Sequence, residues 1–479
     1  MVNMKYFKYH CILLGLLVSL GSCKVKQEKI YDVEELIQSN ELQRLAHMEN
    51  NAQLLVDQIA DTMISISDGQ IQKISNQDIK KRFSNYFTNV QYTSWDDVQN
   101  PIIHLSEDGY TASLYVQKLI DIQHRGQKGS FGEHEYTLFA WNANYRKVNE
   151  QWKIIGNTST RQKLSEEEAF ELPINLSEKY ASINEVDLIP EGVAYDHISK
   201  TVFLSSTYKQ KIIAINSDGS YYDFKTEQED GLWSTVGMEV DEKNKRLWVI
   251  SFNGGEALPM KYPEPKTEWT AKLYVYQLPE GNLLNIFEPE IEGRYGFNDL
   301  CIDNNGGVYV SESLNNKIYY LNPNSKSFES LAIKDSLFVF PNGVTISDDQ
   351  NYLYIATQNG IMQYNLNNKT YSFLKKSSGI VDIRIDGLAY YKGTLIGNQP
   401  FRNRILEFSL DEKNQIIKHQ RILEANNPHF NQPATGEIAA GYFIYLANAQ
   451  MRSGFENGVI KKLNQLDTIK LLKVKLHSR

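Results

Sequence analysis

Apolar and polar positions alternate in short runs over most of the chain, and this pattern predicts a mainly β protein. The exceptions lie near the start, where 40–65 and 75–87 carry apolar residues at helical spacing. Long strand-like runs follow these two helices. Helices followed by a meander of strands predict a smaller α+β unit over 33–163, and the charged, irregular stretch 164–184 is predicted to be a linker.

From 185 onward one strand pattern recurs six times. The first strand of each repeat is found in "PEGVAYD", "TVGMEVD", "FNDLCID", "FPNGVTIS", "RIDGLAYY" and "PATGEIAAG". Equivalent positions are Gly192, Gly237, Asp299, Gly343, Gly387 and Gly436, with steps of 45, 62, 44, 44 and 49 residues. The long second step coincides with an insertion rich in proline and glycine at 252–271, which predicts an overhanging loop.

Two further strands follow each first strand. The second strand recurs as "TVFLSS", "RLWVIS", "GVYVSES", "YLYIAT", "TLIGNQ" and "YFIYLAN". The third strand recurs as "KIIAIN", "KLYVYQ", "KIYYLN", "GIMQYN", "RILEFS" and "VIKKLN". Six repeats of about 45 residues, each with three or four short strands, predict a six-bladed β-propeller with four-stranded blades over 185–479.

The first 22 residues predict a signal peptide rather than part of a fold. Two lysines precede the apolar run "CILLGLLVSL", which is too short to span a membrane because a span needs roughly 20 residues. The following "LGSC" resembles a bacterial lipoprotein box, which implies a lipid on Cys23. The alternative is an ordinary signal peptide with an incidental cysteine. The first interpretation predicts a lipid-anchored lipoprotein of the bacterial cell envelope, on its periplasmic or cell-surface side.

Composition limits the partners. Removing residues 1–22, with Lys5 and Lys8, takes the formal net charge from −8 to −10, and the chain has no dense basic cluster, so nucleic acid is not expected to bind. With Cys11 removed and Cys23 acylated, only Cys301 remains, which excludes an internal disulfide.

Polar residues precede the inner strands at one repeat phase, and in a propeller these positions form a ring around the central channel. We call this set the polar ring: Glu191, Asn298, Asp299, Asn342 and Asp386. Carboxylate and amide oxygens suit hard cations such as Ca²⁺, Mg²⁺ or Mn²⁺. The alternative is that Asn-Gly and Asp-Gly are simply turn dipeptides.

The motifs "PEGVAYD", "FNDLCID", "PNGVTIS" and "DGLAYY" resemble the inner strands of the gluconolactonase and regucalcin family, also called the senescence marker protein family. These proteins are six-bladed propellers with one divalent metal on the channel axis. The resemblance implies Glu191, Asn342 and Asp386 as metal ligands and Asn298 as a metal or substrate-water contact. It favours Ca²⁺, with Mg²⁺, Mn²⁺ or Zn²⁺ as alternatives. The family often has an arginine where this chain has Gly296, which affects substrate recognition.

The predicted chemistry is hydrolysis of a lactone or related ester, with a small sugar-derived molecule as ligand. The cation would polarise the carbonyl group, and Asp299 or Asp386 would take the proton of the attacking water. His429, in the loop before the sixth inner strand, could supply a proton, although a solvated loop histidine is the plainer interpretation. The rival hypothesis is a propeller without catalytic activity that binds a ligand or partner through a structural metal.

The unit 33–163 resembles NTF2-like or SnoaL-like domains in its order of elements. Such a cone fold could enclose a pocket that involves Trp95, His104 or His124. No acid and base pair stands at a spacing that supports catalysis, so this unit is predicted to be a binding or interaction module.

Overall fold

The structure is a computed structural model that describes residues 32–126, 130–254, 269–289, 294–322, 324 and 326–476. The predicted signal peptide, Cys23 and most of the insertion at 252–271 lie outside the described residues. The chain divides into two compact units, Met1–Glu171 and Leu172–Arg479. No helix within the described ranges has both the length and the apolar character needed to span a membrane.

In its described residues, the N-terminal unit combines four helices with one seven-stranded sheet. Its helices are α1 (32–48), α2 (Ala52–Val56), α3 (Asn76–Phe87) and α4 (Glu166–Glu171). Its strands are β1 (Ile59–Ser67), β2 (Gln70–Ser75), β3 (Val90–Asp97), β4 (Ile102–Leu105), β5 (Thr111–Arg125), β6 (Phe131–Val148) and β7 (Gln151–Leu164). The strand order is β2-β1-β7-β6-β5-β3, with β4 also on β5. Only the pairing of β1 with β7 is parallel among the pairings described in this sheet.

Helix ends and buried polar contacts fix this unit. Ser75 caps α3, because its hydroxyl accepts a hydrogen bond from the backbone N–H of Asp78 at 3.1 Å. The buried ion pair between Arg44 and Asp96, at 2.9 Å, ties α1 to the sheet. The described part of the sheet and the helices share an apolar core that includes Leu36, Leu114 and other fully buried residues.

The C-terminal unit begins with two short strands, β8 (Ile174–Asn175) and β9 (Glu178–Ile183), and continues with six sheets. The first sheet contains β10 (Val193–Asp196), β11 (Thr201–Ser205), β12 (Ile212–Ile215) and β13 (Tyr221–Lys225). The second contains β14 (Ser234–Asp241), β15 (Arg246–Phe252), β16 (Ala271–Gln277) and β17 (Leu283–Phe287). The third contains β18 (Phe297–Ile302), β19 (Val308–Glu312), β20 (Lys317–Asn322) and β21 (Ser327–Ser330).

The fourth sheet contains β22 (Val344–Ile346), β23 (Tyr352–Thr357), β24 (Gly360–Asn365) and β25 (Tyr371–Phe373). The fifth contains β26 (Lys375–Lys376), β27 (Leu388–Tyr391), β28 (Thr394–Gln399), β29 (Arg404–Leu410) and β30 (Ile416–Ala425), with β8 added at β30. The last elements are β31 (Gly436–Ala439), β32 (Tyr442–Leu446), β33 (Phe455–Glu456), β34 (Val459–Ile460) and β35 (Ile469–Lys475).

The sixth sheet closes the propeller with a strand from the start of the unit. Its order is β31-β32-β35-β9, and Ile469 of β35 faces Ile183 of β9. The innermost strands β10, β14, β18, β22, β27 and β31 touch their neighbours in a closed ring. The prediction of a six-bladed β-propeller is therefore confirmed.

Two details of the sixth blade differ from the sequence-based expectation. Residues 178–183, within the predicted linker, form its outermost strand. The third strand is Ile469–Lys475, whereas the expected run "VIKKLN" contributes only β34, which pairs with β33 in a separate hairpin. Both runs are short and apolar, and the pairing partner β9 lies far away in sequence, so local pattern did not distinguish them.

Candidate functional site

The inner strands approach one another so closely that five of the six have glycine at the equivalent position near their start, where a side chain would clash, whereas the third strand has Asp299 there. A Cβ atom added at Gly192 would lie 2.0 Å from the carbonyl oxygen of Val236, and one at Gly343 would lie 2.5 Å from that of Asp386. Atoms at these distances overlap. The repeated glycines therefore mark the narrowest part of the ring, and the residue before each glycine enters it.

A strained backbone precedes three members of the polar ring. Ile189, Phe340 and Arg384, each two residues before an acid or amide of the ring, have φ values of 46°, 52° and 53°. Residues other than glycine rarely adopt positive φ, and a β-branched residue such as Ile189 adopts it least readily. The carbonyl oxygen of Ile189 accepts hydrogen bonds from both the backbone N–H and the hydroxyl of Thr207. Such contacts hold the kinks, which the sequence did not reveal.

The structure brings four of the five ring members together. The Asn342 Nδ2 donates to Asp386 Oδ1 at 2.7 Å, which links the fourth and fifth blades. The carboxylate of Asp299 accepts backbone N–H bonds from Leu300 at 2.9 Å and from Val344, in the next blade, at 3.0 Å. Glu191 is 6% exposed and is close enough to Asp299 and Asp386 for their charges to affect its ionisation.

Burial raises the pKa values of all three acids, and repulsion from neighbouring carboxylates adds to the rise for Glu191 and Asp299. Burial raises the pKa of Glu191 well above its ordinary value, and the negative charges of Asp386 and Asp299 raise it further. Burial also raises the pKa of Asp299 to about 7, against the lowering effect of its two backbone hydrogen bonds. The pKa of Asp386 is raised by burial, although the hydrogen bond from Asn342 opposes this. The three carboxylates are therefore buried near one another, in surroundings that disfavour their ionised forms.

One buried oxygen of the polar ring lacks the partner that a cation would supply. Glu191 Oε2 is buried and has no hydrogen-bond partner within the described part of the chain. A buried carboxylate oxygen without a partner is costly, and a hard divalent cation would satisfy it while offsetting the repulsion. Among the described residues, no group of three or more His, Cys, Asp or Glu side chains is arranged to hold a metal ion. The predicted ligand set contains only two such side chains, Glu191 and Asp386, since Asn298 and Asn342 are amides. Asp299 is not arranged with these two described acids as a third ligand.

Two predicted residues stand apart from these contacts. Asn298 lies at the start of β18, half-buried, and its side chain forms no hydrogen bond with any residue that the structure describes. His429 is exposed, and its backbone N–H donates to the Asn427 side chain at 2.9 Å. No contact within the described ranges joins the His429 imidazole to the acids, so its role as a proton donor stays a prediction.

A cavity of about 270 Å³ adjoins two members of the ring. Its lining includes Asn342 and Asp386 together with Phe340, Arg384 and Phe401. Phe340 and Phe401 are 47% and 59% exposed, so the cavity offers two accessible aromatic faces. The Arg384 side chain is also exposed and forms no ion pair with a described residue. Sequence reasoning missed this cavity because its walls come from loops of different blades.

The central channel contains further acids that the sequence analysis did not select. A cavity of about 190 Å³ runs along the inner strands and is lined by Glu239, Asp299 and Glu437 among others. Burial raises the pKa of Glu437 to about 7, and the charge of Asp299 adds to this effect. The available signal was an acid inside an otherwise apolar inner strand, in "GMEVD" and "GEIAA".

Fold and site together define a six-bladed propeller with a cluster of carboxylates at the end of the channel where the inner strands begin. Residues 189–389 match the family model described as "SMP-30/Gluconolactonase/LRE-like region". This match agrees with the resemblance inferred from the motifs. The matched residues include Glu191, Asn342 and Asp386.

Several solved structures are similar to the chain. A gluconolactonase from Xanthomonas campestris is 14% identical, with 63% of this chain and 88% of that chain covered and a TM-score of 0.42. A calcium-binding protein, regucalcin, from Agrobacterium tumefaciens is 13% identical, with 63% and 96% covered and a TM-score of 0.43. A virginiamycin B lyase from Staphylococcus aureus is 13% identical, with 62% and 98% covered and a TM-score of 0.42. No curated protein sequence matches the chain.

Proposed function

We propose that the propeller is a divalent-metal-dependent hydrolase of a lactone or related ester, with its active site at the polar ring. The observation that carries this proposal is the buried, unpartnered Glu191 oxygen beside Asp299 and Asp386. The family match supports a lactonase-type activity.

Glu191, Asn342 and Asp386 would hold the cation, with Asn298 as a fourth ligand or a contact to the substrate. Ca²⁺ suits these oxygen donors best. When bound, the cation polarises the ester carbonyl and stabilises the negative charge that develops on its oxygen. Asn342 already orients Asp386 through their hydrogen bond at 2.7 Å, so little rearrangement is needed at this pair.

Asp299 and Asp386 are the candidates for the general base. Two backbone hydrogen bonds fix the Asp299 carboxylate, and a pKa of about 7 lets it both accept and return a proton near neutral pH. Water loses a proton to this carboxylate as its oxygen bonds to the carbonyl carbon. The ring C–O bond then breaks, and the proton passes to the leaving alkoxide, which yields a hydroxy acid.

The cavity beside the ring supports a sugar-derived or other compact substrate with an anionic group. The exposed faces of Phe340 and Phe401 can pack against the C–H face of a sugar ring. Arg384 can bind a carboxylate or phosphate of the substrate. In this chain Arg384 would thus supply the positive charge that the family often has at the position of Gly296.

Proton release on a panel of sugar and acyl lactones, with and without chelator, tests the proposal. We expect turnover that chelator abolishes and Ca²⁺ restores, and a loss of at least 100-fold in kcat for Asp386→Ala. Glu412→Gln, which removes an exposed carboxylate from the same blade, is the matched control and should keep full activity.

A non-catalytic binding propeller is the second candidate, and the observation that favours it is Gly296 in place of the family arginine. Full cation occupancy without turnover on any lactone of the panel would contradict the hydrolase and support this alternative.

A further inference from the structure

A third cavity lies inside the N-terminal unit, far in sequence from the polar ring. Its volume is about 100 Å³, and its lining is mostly apolar, with Phe83, Trp95, Phe139 and Trp141 as its aromatic members. An engineered apolar cavity of roughly 150 Å³ in another protein binds benzene. The cavity in this unit has about two-thirds of that volume, so its size and its walls suit at most one small, largely apolar molecule.

Polar groups without partners also line this cavity. Gln43 is 3% exposed, and its Nε2 has no hydrogen-bond partner among the described residues. The same holds for the indole N–H groups of Trp95 and Trp141, and for the amide oxygen of Asn157. Buried polar groups in native proteins are nearly always satisfied, so this set indicates a missing partner. The unpartnered groups are three hydrogen-bond donors, on Gln43, Trp95 and Trp141, and one acceptor, on Asn157.

Contacts of α1 with the sheet and within the cavity wall hold Gln43 in place. Its neighbours on α1 are anchored to the sheet, because Asn40 Nδ2 donates to Asp97 at 3.0 Å and Arg44 pairs with Asp96. One turn further along α1, His47 donates through Nδ1 to the carbonyl oxygen of Gln43 at 2.7 Å, and its ring stacks on Trp95 with centroids 3.6 Å apart. The Gln43 side chain is thus built into the wall rather than carried on a mobile segment.

The hydrogen-bonding capacity of these four groups indicates which functional group a ligand of the cavity would carry. A hydroxyl group can accept two hydrogen bonds and donate one, so it can serve Gln43 or an indole and Asn157 at once. A carbonyl group would leave the Asn157 oxygen unsatisfied. A carboxylate would bring an unpaired charge into an apolar cavity that has no cationic side chain among its described lining residues.

We propose that the N-terminal unit binds a small aromatic or alicyclic alcohol in this cavity, with the apolar ring between the aromatic walls and the hydroxyl group at Gln43 and Asn157. Phe83, Phe139 and Asn157 are half-buried, and the ligand enters beside them. This binding is independent of the proposed hydrolysis at the propeller.

Saturation-transfer NMR on the full chain, with phenol and toluene as matched probes, tests the proposal. The two probes have nearly the same shape, and only phenol has the hydroxyl group. We expect phenol to bind at least tenfold more tightly than toluene. Gln43→Met and Asn157→Leu should each remove this preference while toluene binding stays within twofold.

Two further variants make the result specific to the cavity. Met63→Phe adds volume at a lining position and should abolish the binding of both probes. Gln53→Met, on the exposed side of α2, should change nothing. If Gln43→Met does not fold, Asn157→Leu tests the same hydroxyl contact from β7. Equal affinity for phenol and toluene, no binding of either, or phenol binding that survives Met63→Phe would overturn the proposal.

Discussion

At the scale of single residues, the main unusual feature of the propeller is its backbone beside the polar ring. Ile189, Phe340 and Arg384 all adopt positive φ, at a cost of about 1–3 kcal/mol each. Such conformations persist only where the surrounding contacts enforce them. Here the positive φ values direct Glu191, Asn342 and Asp386 into the ring. The backbone strain therefore lowers the folding stability beside the candidate ligands.

Two variants of Arg384 distinguish the effect of backbone strain from the effect on substrate binding. Arg384→Gly and Arg384→Ala both remove the guanidinium group, but only glycine relaxes at φ 53°. We expect the glycine variant to be more stable than the alanine variant by about 1 kcal/mol in urea unfolding. Both should lose at least tenfold in kcat/KM on anionic lactones relative to neutral ones. Equal stability of the two variants would show that the backbone is not strained.

His47 predicts a pH dependence for the N-terminal unit. Burial lowers the pKa of His47 from 6.5 to about 4, so the unfolded chain binds more protons than the folded chain between these values. Stability is therefore fully present above pH 6.5 and falls as the pH drops towards 4. We expect a loss of about 2 kcal/mol from this residue between pH 7 and pH 5.

The control for this prediction is His47→Phe, which keeps an aromatic ring against Trp95 but cannot titrate. Urea unfolding at pH 7 and pH 5 should show a smaller loss of stability in the variant than in the wild type. If both lose the same amount, His47 is not the responsible group.

The residue scale also shows what the sequence could predict about the site. The glycines and the acids before them could be recognised because close strand packing favours glycine at five of the six equivalent positions, so glycine recurs at a regular interval in the sequence. The kinks at Ile189, Phe340 and Arg384 were not visible, because none of these residues is a type that favours positive φ. Glu239 and Glu437 were missed because they follow the repeated glycines, whereas the acids of the polar ring lie at or before the glycine position.

At the scale of elements, the propeller depends on β9. This strand precedes the first blade in sequence but forms the outer edge of the sixth sheet, where Ala181 and Ile183 are fully buried. Local patterning predicted the inner strands well, since each pairs with its neighbour along the chain. It could not predict β9, because the pairing with β35 joins the two ends of the unit and leaves no local signal.

Two fragments test this closure. A fragment of residues 172–479 contains β9 and should fold cooperatively, whereas a fragment of 185–479, which starts at the predicted domain boundary, lacks it. The shorter fragment loses the burial of Ile183, which alone is worth about 2–5 kcal/mol, and exposes an edge of the sixth sheet. Thermal unfolding should show a lower midpoint for it, or no transition. Equal midpoints would mean that β9 does not close the propeller.

At the scale of the whole molecule, the chain combines a propeller with a second unit that has its own cavity and its own buried polar cluster. The two proposed ligands differ in chemistry. A charged lactone or ester is proposed for the polar ring, and a neutral alcohol for the N-terminal cavity. The resemblance of the N-terminal unit to NTF2-like domains and the lipid anchor at Cys23 stay predictions.

The anchor can be tested in a bacterial host. The "LGSC" segment predicts that the chain fractionates with membranes, although no described helix could span one. Cys23→Ala removes the only thiol that the lipid could modify there, and we expect the protein to move to the soluble fraction. Cys301→Ala, which changes a buried free cysteine, is the control and should stay with the membrane. Membrane association that persists in Cys23→Ala would contradict the lipid anchor.

We propose above all that oxygen donors from separate blades bind one divalent cation at the polar ring. Calorimetric titration of the metal-free full chain with Ca²⁺ tests it most directly, because it needs no substrate. We expect one cation per chain in the wild type and in Glu412→Gln, and a loss of at least 100-fold in affinity for Glu191→Gln. Ca²⁺ affinity in Glu191→Gln equal to that of the wild type, or no Ca²⁺ binding in the wild type, would contradict the account.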